Sequence, residues 1–397
     1  MSMILSRLNL IPRYNWDYGF REMLKGCVDA LTGASSKKSS FKEIFGLEPI
    51  FTNSGRTSLY AILKALDLPP GSKVGVPLFC CPVVFEAISQ AGHFPEFLDV
   101  DDRTYTVSAK NLASKMDGLA AVVVVHMFGH PAEMDAIADV CANVPIIEDC
   151  AHSLYSRYKG QLTGTLSTAA FFSFRSGKYL SVGEGSAILT KERRLSKAIR
   201  EIVSHFGEGS IGQEVLGCAF NYLKSTFYHR PWYGTIGYPI GRRLDTKLNL
   251  SAKTGFKTGK IANCNMRLIN ERMITFAPKI ERQRQHALYL LEKLKPNGVQ
   301  LPFERESCVS NYYQFAVKVM SEAQRDMIAE RLFERGVDTV KYLDEIVEFA
   351  AAEYSYDGSC PNSELISKTI LVIPGHYTLP RARLDYIASS LNHMIQQ

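Results

Sequence analysis

The chain has 397 residues, 46% of them hydrophobic and 22% charged, with 46 Lys and Arg against 40 Asp and Glu. It is long enough for one large domain plus a smaller one, and too apolar for a disordered chain. The formal charge of +6 suits an anionic ligand or merely a slightly basic surface; no recognition-helix or basic-aromatic pattern supports nucleic-acid binding, and no apolar run is long enough for a membrane-spanning helix.

Residues 1–43 read as an arm of short apolar clusters broken by Pro12 and Gly19, with the polar run Ser35 to Ser40 as an exposed loop. Beyond it a Ser54-Gly55 turn precedes Leu59, Ile62, Leu63 and Leu66 at helical spacing, so Ser54, Gly55, Arg56 and Thr57 form the first turn of a helix with one buried face. Such a turn is an everyday cap, and its free amides and hydroxyls also make a phosphate cradle. Lys73 to Pro77 reads as a strand, Val83 to Gly92 as a helix and Phe94 to Val100 as a strand, the repeating unit of a parallel sheet. Ala120 to Val125 is apolar throughout, as a strand covered on both faces must be, and ends in His126-Met127-Phe128-Gly129-His130. His126 is the better ligand candidate of the two histidines, and His130 reads as a surface or loop residue. Met134 to Cys141 follows as a helix with Ile137 and Val140 inward.

The stretch from Pro145 to Thr190 organises the rest. Ile146-Ile147 leads into Glu148-Asp149, and the apolar run from Ala169 to Phe174 breaks at Arg175-Ser176-Gly177 to deliver Lys178 ahead of Gly183-Glu184-Gly185. Both runs read as strands with polar residues at their C-terminal ends, where open α/β sheets bind ligands. A desolvated lysine can form a Schiff base, and a carboxylate at a strand end can pair with a cationic ring nitrogen. Together they are what pyridoxal phosphate requires, although glycine-flanked lysines are common in a chain this rich in them.

After Lys191 the segment from Ile211 to Arg243 stands out for Leu216, Phe220, Tyr222, Leu223, Phe227, Tyr228, Trp232, Tyr233, Ile236 and Tyr238, closed by Arg242-Arg243. It reads as a dimer or domain surface with an active-site lid, or as a peripheral membrane contact; it lacks a long regular helical pattern and is broken by Gly234, Gly237 and Pro239. Leu268 to Leu294 reads as a long helix connecting to an α+β unit with strands at Tyr312 to Val319 and Thr369 to Ile373 and a helix from Glu322 to Arg335.

The stretch around Lys178 resembles the core of the DegT/DnrJ/EryC1/StrS family, pyridoxal-phosphate sugar aminotransferases of fold type I. Glu148-Asp149-Cys150-Ala151-His152, Phe172-Ser173-Phe174, Lys178 and Gly183-Glu184-Gly185 match its motifs in order and spacing. Gly55-Arg56-Thr57 resembles its phosphate turn with Arg56 where threonine is usual. His126 resembles the histidine of its strand-end motif, and Asn265 and Arg267 resemble an Asn and an Arg of a later element that here lacks its glycine and both tyrosines. Ser363-Glu364 with Leu371 to His376 resembles its terminal element.

The resemblance implies a mostly parallel seven-stranded sheet flanked by helices, with the arm at 1–43, a cofactor domain at 44–260 and a connecting helix with a smaller α+β domain at 261–397. It implies pyridoxal 5'-phosphate held by Lys178 as a Schiff base, Asp149 on the ring nitrogen and His152 at the ring hydroxyl or stacked near it. The phosphate would be held by Ser54, Gly55, Arg56, Thr57 and Ser173, with Asn265 donated across a homodimer, and His126 would lie near the cofactor. The ring-facing aromatic of the family is matched by Cys81, so Phe79 is an alternative neighbour of the ring. The donor implied is glutamate or glutamine and the acceptor a nucleotide-linked keto sugar, with Arg175 first among candidates for its diphosphate, ahead of Arg230, Arg242, Arg243 and Arg267. An aminocyclitol or lipid-linked acceptor, elimination or dehydration chemistry, and a non-catalytic cofactor-binding protein are the alternatives. No metal is expected. Nine cysteines without a zinc-type pair favour reduced thiols and a cytoplasmic protein.

Overall fold

Strands whose side chains are apolar on both faces need cover on both sides, and this chain supplies it with helices. The computed structural model describes residues 7–33, 39–241 and 255–395. Its first nine strands are β1 (Ile50–Thr52), β2 (Lys73–Pro77), β3 (Phe94–Leu98), β4 (Leu119–Val125), β5 (Ile146–Asp149), β6 (Arg157–Tyr158), β7 (Gln161–Leu162), β8 (Ala169–Ser173) and β9 (Ser186–Leu189). All but β6 and β7 form one sheet in the order β1, β9, β8, β5, β4, β2, β3. β9 alone runs against its neighbours, pairing antiparallel with both β1 and β8. The other pairs are parallel, and Val125 sits level with Asp149 and Asp149 with Phe171, which brings the polar ends of three strands together.

The helices of this part are α1 (Phe20–Thr32), α2 (Ser40–Phe45), α3 (Gly55–Ala65), α4 (Val83–Gln90), α5 (Ala109–Lys115), α6 (Met134–Cys141), α7 (Arg193–Ser204) and α8 (Ile211–Phe227). The period of two along the strands divides the core. Val123, Phe171 and Ile188 face a cluster with Leu59, Ile62 and Ile199, while Phe172 and Ala187 face Phe41, Phe174, Leu268 and Phe276. Each such fully buried side chain contributes about 1.5–3 kcal/mol of burial free energy.

The 31-residue α9 (Asn263–Lys293) leads to the C-terminal part. There β10 (Val299–Gln300), β11 (Cys308–Val309), β12 (Phe315–Val319), β13 (Val340–Lys341) and β14 (Ile370–Ile373) alternate with α10 (Glu322–Glu334), α11 (Ile346–Tyr354), α12 (Pro361–Thr369) and α13 (Arg381–Ile395). β10, β12, β14 and β13 make an antiparallel sheet around Phe315, Val317, Ile328, Leu332 and Leu371, while β11 joins the β6–β7 hairpin.

Three expectations are corrected. The arm is more than loose clusters, since α1 lies within residues 1–43 and α2 starts there and runs on to Phe45. The aromatic segment opens with a regular helix, the 17-residue α8 capped by Ser210, and later passes through a wider π-helical turn at Tyr233–Gly237. The strand expected from Tyr312 begins only at Phe315, because Tyr312 takes a left-handed φ of 48° and the Tyr313 N–H is held by Asn311. Ser35 to Lys38, Arg242 and Arg243 lie outside the described residues.

Candidate active site

The turn joining β8 to β9 carries Lys178. It is closed by Ser176 N–H donating to the Gly183 carbonyl at 3.0 Å and Lys178 N–H to that of Arg175 at 3.0 Å. Lys178 Nζ stands 5.3 Å from the centre of the Tyr313 ring. Burial, assisted by the Arg175 guanidinium and opposed by Cys81 and Asp149, lowers Lys178 to about 8. An amine so placed gives up its proton far more readily than an exposed lysine, and a nucleophile must be in that form.

Asp149 closes β5, buried, and accepts the Ala151 N–H at 2.9 Å. Burial raises its pKa against that hydrogen bond and the charges of Lys178 and His126. His152 is buried with its ring 4.5 Å from that of Tyr313 and near-parallel to Phe128. Its Nδ1 accepts the Phe128 N–H at 3.4 Å, and burial and the Lys178 charge hold its pKa well below the ordinary value, so the ring is neutral. Lys178, Asp149, His152 and Cys81 thus lie together at the C-terminal ends of the strands.

The first turn of α3 lies beside them. Ser54 caps it, its Oγ accepting Thr57 N–H at 3.3 Å and lying 3.0 Å from Thr57 Oγ1, which in turn donates to Asn53 Oδ1. A Cβ added to Gly55 would be 3.7 Å from that of Ser173, so the Ser54–Thr57 turn and Ser173 form one cradle. Arg56 does not enter it by its side chain, which pairs with Glu86 at 3.1 Å and covers the Phe256 ring. Asn265 donates to the Glu184 carbonyl at 3.0 Å, on the far side of the lysine turn, where a groove of about 470 Å³ is also bordered by Asn53, Ser176, Lys224 and Lys257.

Other candidates are engaged elsewhere. His126 is wholly buried, with Nε2 3.0 Å from Glu148 and Nδ1 accepting Ala132 N–H at 3.1 Å, so it supports Asp149 from behind and has no ring nitrogen left for a ligand. His130 is a core residue and no surface histidine: burial and Arg305 lower it to about 4. Phe79 is fully buried among Tyr105, Phe128 and Tyr342 and is a core phenylalanine. Arg267 bridges Asp29 and Glu271, away from Lys178, whereas Arg175 is exposed at the mouth of the turn.

Residues that sequence reasoning missed frame the cleft. Tyr313 donates to the Gly177 carbonyl at 2.7 Å and Tyr179 to that of Asn311 at 2.8 Å. Asn311 Nδ2 donates to the carbonyls of His152 and Leu154 at 2.9 and 2.8 Å. A Cβ at Gly129, where φ is 91°, would fall 1.8 Å from Asn311 Oδ1, which only glycine avoids. Arg13, Tyr14 and Asn15 of the arm line the same cleft as Lys178 and Tyr313. The polar run Ser310-Asn311 just ahead of a strand was the available signal.

A model of the DegT/DnrJ/EryC1/StrS aminotransferase family matches residues 40–392. The chain is 26% identical over 368 residues to a dTDP-4-dehydro-2,3,6-trideoxy-D-glucose 4-aminotransferase of Saccharopolyspora spinosa, covering 90% of this chain and 88% of that protein. It is 27% identical to a UDP-2-acetamido-2-deoxy-3-oxo-D-glucuronate aminotransferase of Pseudomonas aeruginosa, over 86% and 84% of the two chains. The crystal structure of the aminotransferase TlmJ from Streptoalloteichus hindustanus superposes with a TM-score of 0.78 at 23% identity, covering 98% of this chain and 99% of that one.

Proposed function

Because the chain belongs to the DegT/DnrJ/EryC1/StrS aminotransferase family and is a pyridoxal-phosphate-dependent aminotransferase, we propose that it moves an amino group from glutamate to a keto sugar carried on a nucleotide. The observation that carries this reading is an amine lowered to about 8, Lys178, beside the buried carboxyl of Asp149. The names of the relatives, which act on dTDP- and UDP-linked sugars, support the acceptor class.

The residues fit the cofactor. Asp149 is driven toward its acid form by burial, and a cationic ring nitrogen is the partner that would keep it ionised. Pyridoxal phosphate, when bound, supplies the electron sink for carbon-bond chemistry at the amino-bearing carbon. Lys178 would hold the cofactor covalently through Nζ, and the same Nζ is placed to carry a proton to and from the amino-bearing carbon of the substrate. His152, neutral and tilted 31° to the Tyr313 ring 4.5 Å away, would pack on the cofactor ring or meet its hydroxyl. Ser54, the backbone of Gly55 and Arg56, Thr57 and Ser173 would bind the phosphate. Asn265 would reach the phosphate of a second copy across a twofold axis, and Arg175 would meet the acceptor's diphosphate as a planar fork.

Stopped-flow absorbance tests the proposal. Glutamate should shift the band of the bound cofactor, and one of a panel of nucleotide-linked 3-keto and 4-keto sugars should restore it. A band indifferent to every amino acid would sink the donor half; a donor that works with no nucleotide sugar would leave the reaction class and remove the acceptor.

A further inference from the structure

α8 is the helix of the segment that stood out in the sequence, and nothing in the chemistry so far uses it. One of its side chains, Asn221, is 3% exposed and touches the turn that carries Lys178. Its carboxamide oxygen accepts Trp16 Nε1–H at 3.2 Å and shares the Ser176 Oγ–H, 3.3 Å away, with the Gly183 carbonyl, also at 3.3 Å. Its amide carbon lies 3.2 Å from where a Cβ on Gly183 would stand. Ser176 and Gly183 are the two posts of the turn, joined by the Ser176 N–H to Gly183 carbonyl bond and by the Arg175–Gly183 bridge. One helical turn on, Ser225 donates to the Trp16 carbonyl at 2.7 Å, so α8 holds the arm at Trp16 by two residues.

The amide nitrogen of Asn221 is buried without a hydrogen-bond partner, which is a cost that an apolar residue of similar shape would avoid. What the carboxamide offers in return is its oxygen. It binds the arm and the lysine turn at once, as the Arg272 guanidinium does from α9 through Asp17 and the Ser181 carbonyl.

We propose that Asn221 is a positioning residue for Lys178: its oxygen locks the Arg175–Gly183 turn against the arm and so fixes where Nζ stands relative to Asp149 and Tyr313. The proposal rests on Lys178 being the cofactor lysine, and borohydride reduction of the wild-type holoenzyme, with the adduct mapped by mass spectrometry, tests that reading separately.

Three full-length variants test the proposal itself. Asn221→Leu keeps the shape and loses the acceptor, Asn221→Asp keeps the acceptor, and Ser176→Ala removes one of its partners from the exposed side. In cofactor-free protein, the pH dependence of Lys178 labelling by trinitrobenzenesulfonate is followed, since Arg175, Asp149, Cys81, His152 and Tyr313, the groups facing the amine, are common to all. Amide hydrogen exchange across the turn is the second readout. Asn221→Leu should raise the labelling midpoint by about one pH unit as water reaches the amine. It should also speed exchange of the Ser176 and Val182 amides by about tenfold. Asn221→Asp should keep wild-type exchange while its added carboxylate raises the midpoint on its own account, so exchange is the readout that decides for this variant, and Ser176→Ala should speed the same amides in part. The proposal is overturned if Asn221→Leu leaves midpoint and exchange unchanged. It is equally overturned if Asn221→Leu and Asn221→Asp lose exchange protection of these amides alike along with a common fall in melting temperature, which would make Asn221 a packing residue only.

Discussion

Lys178 carries a charge that its surroundings resist until the pH rises to about 8, whereas in the unfolded chain it keeps its proton up to about 10.5. Between these values the unfolded state binds more protons than the folded one, so this group's contribution makes stability rise with pH across that window and is fully unfavourable below it. The cleft leaves the residue partly exposed, which makes about 3 kcal/mol an upper bound on the effect. Lys178→Met should therefore raise the melting temperature of the cofactor-free protein at pH 6–7, with the gain fading toward pH 10, while abolishing every spectral response to amino donors. Thermal melts across pH check the first part. Glu148 has the opposite character: fully buried, it accepts the N–H groups of Gly164 and Leu166 at 2.7 and 2.8 Å and the Ser167 hydroxyl at 3.0 Å, beside His126. Glu148→Ala strands all of these, and urea denaturation should report a loss of about 3–5 kcal/mol.

At the scale of elements, α3 is both a core helix and a cradle, and one substitution separates the two. Ser54→Ala removes the cap and should lower stability by about 1 kcal/mol. It should also weaken binding of pyridoxal phosphate while leaving that of unphosphorylated pyridoxal unchanged, as equilibrium titration with the two would show. The elements legible in the sequence were those whose pattern is set locally. β4 and β8 are apolar runs because both faces are covered, β5 turns from Ile146-Ile147 to two carboxylates, α3 and α6 have single apolar stripes, and Asp149 and Lys178 sit at or just past strand ends within one short stretch. α1 and α8 were not, because each is completed by the other. Gly26 weakens α1 as a helix, yet a Cβ there would lie 2.6 Å from Cys218 Sγ, so the glycine is what lets α8 approach. Gly212 and Gly217 likewise blur α8, whose regularity comes from packing rather than from propensity. Tyr313 and Asn311 escaped for a related reason: they meet Gly177 and His152 from far along the chain, and no local period marks such a meeting.

For the whole molecule, the outward side of this helix pair bears on assembly. Phe20, Leu24, Val28 and Leu31 of α1 and Leu216, Phe220 and Leu223 of α8 are exposed, an apolar surface of the kind that second copies cover. A homodimer is expected at micromolar concentration by sedimentation velocity, and Leu216→Glu combined with Phe220→Glu should shift it toward monomer with the far-UV spectrum unchanged; an undisturbed dimer would assign the surface to another partner. Asn311 has a different reach. It ties the His152 loop, Tyr179 and Tyr313 into one cleft, yet it follows β9, the last strand of the large sheet, by a long stretch of chain. During synthesis the ribosome therefore releases every strand of that sheet, with Lys178 and Asp149 already in it, before the residue that shapes their cleft exists. A nascent chain would meet cellular pyridoxal phosphate with an open, water-filled turn and hold it poorly. Stable holding of the cofactor is therefore expected only of chains whose translation has run past Tyr313, as truncated ribosome-bound chains titrated with pyridoxal phosphate would show.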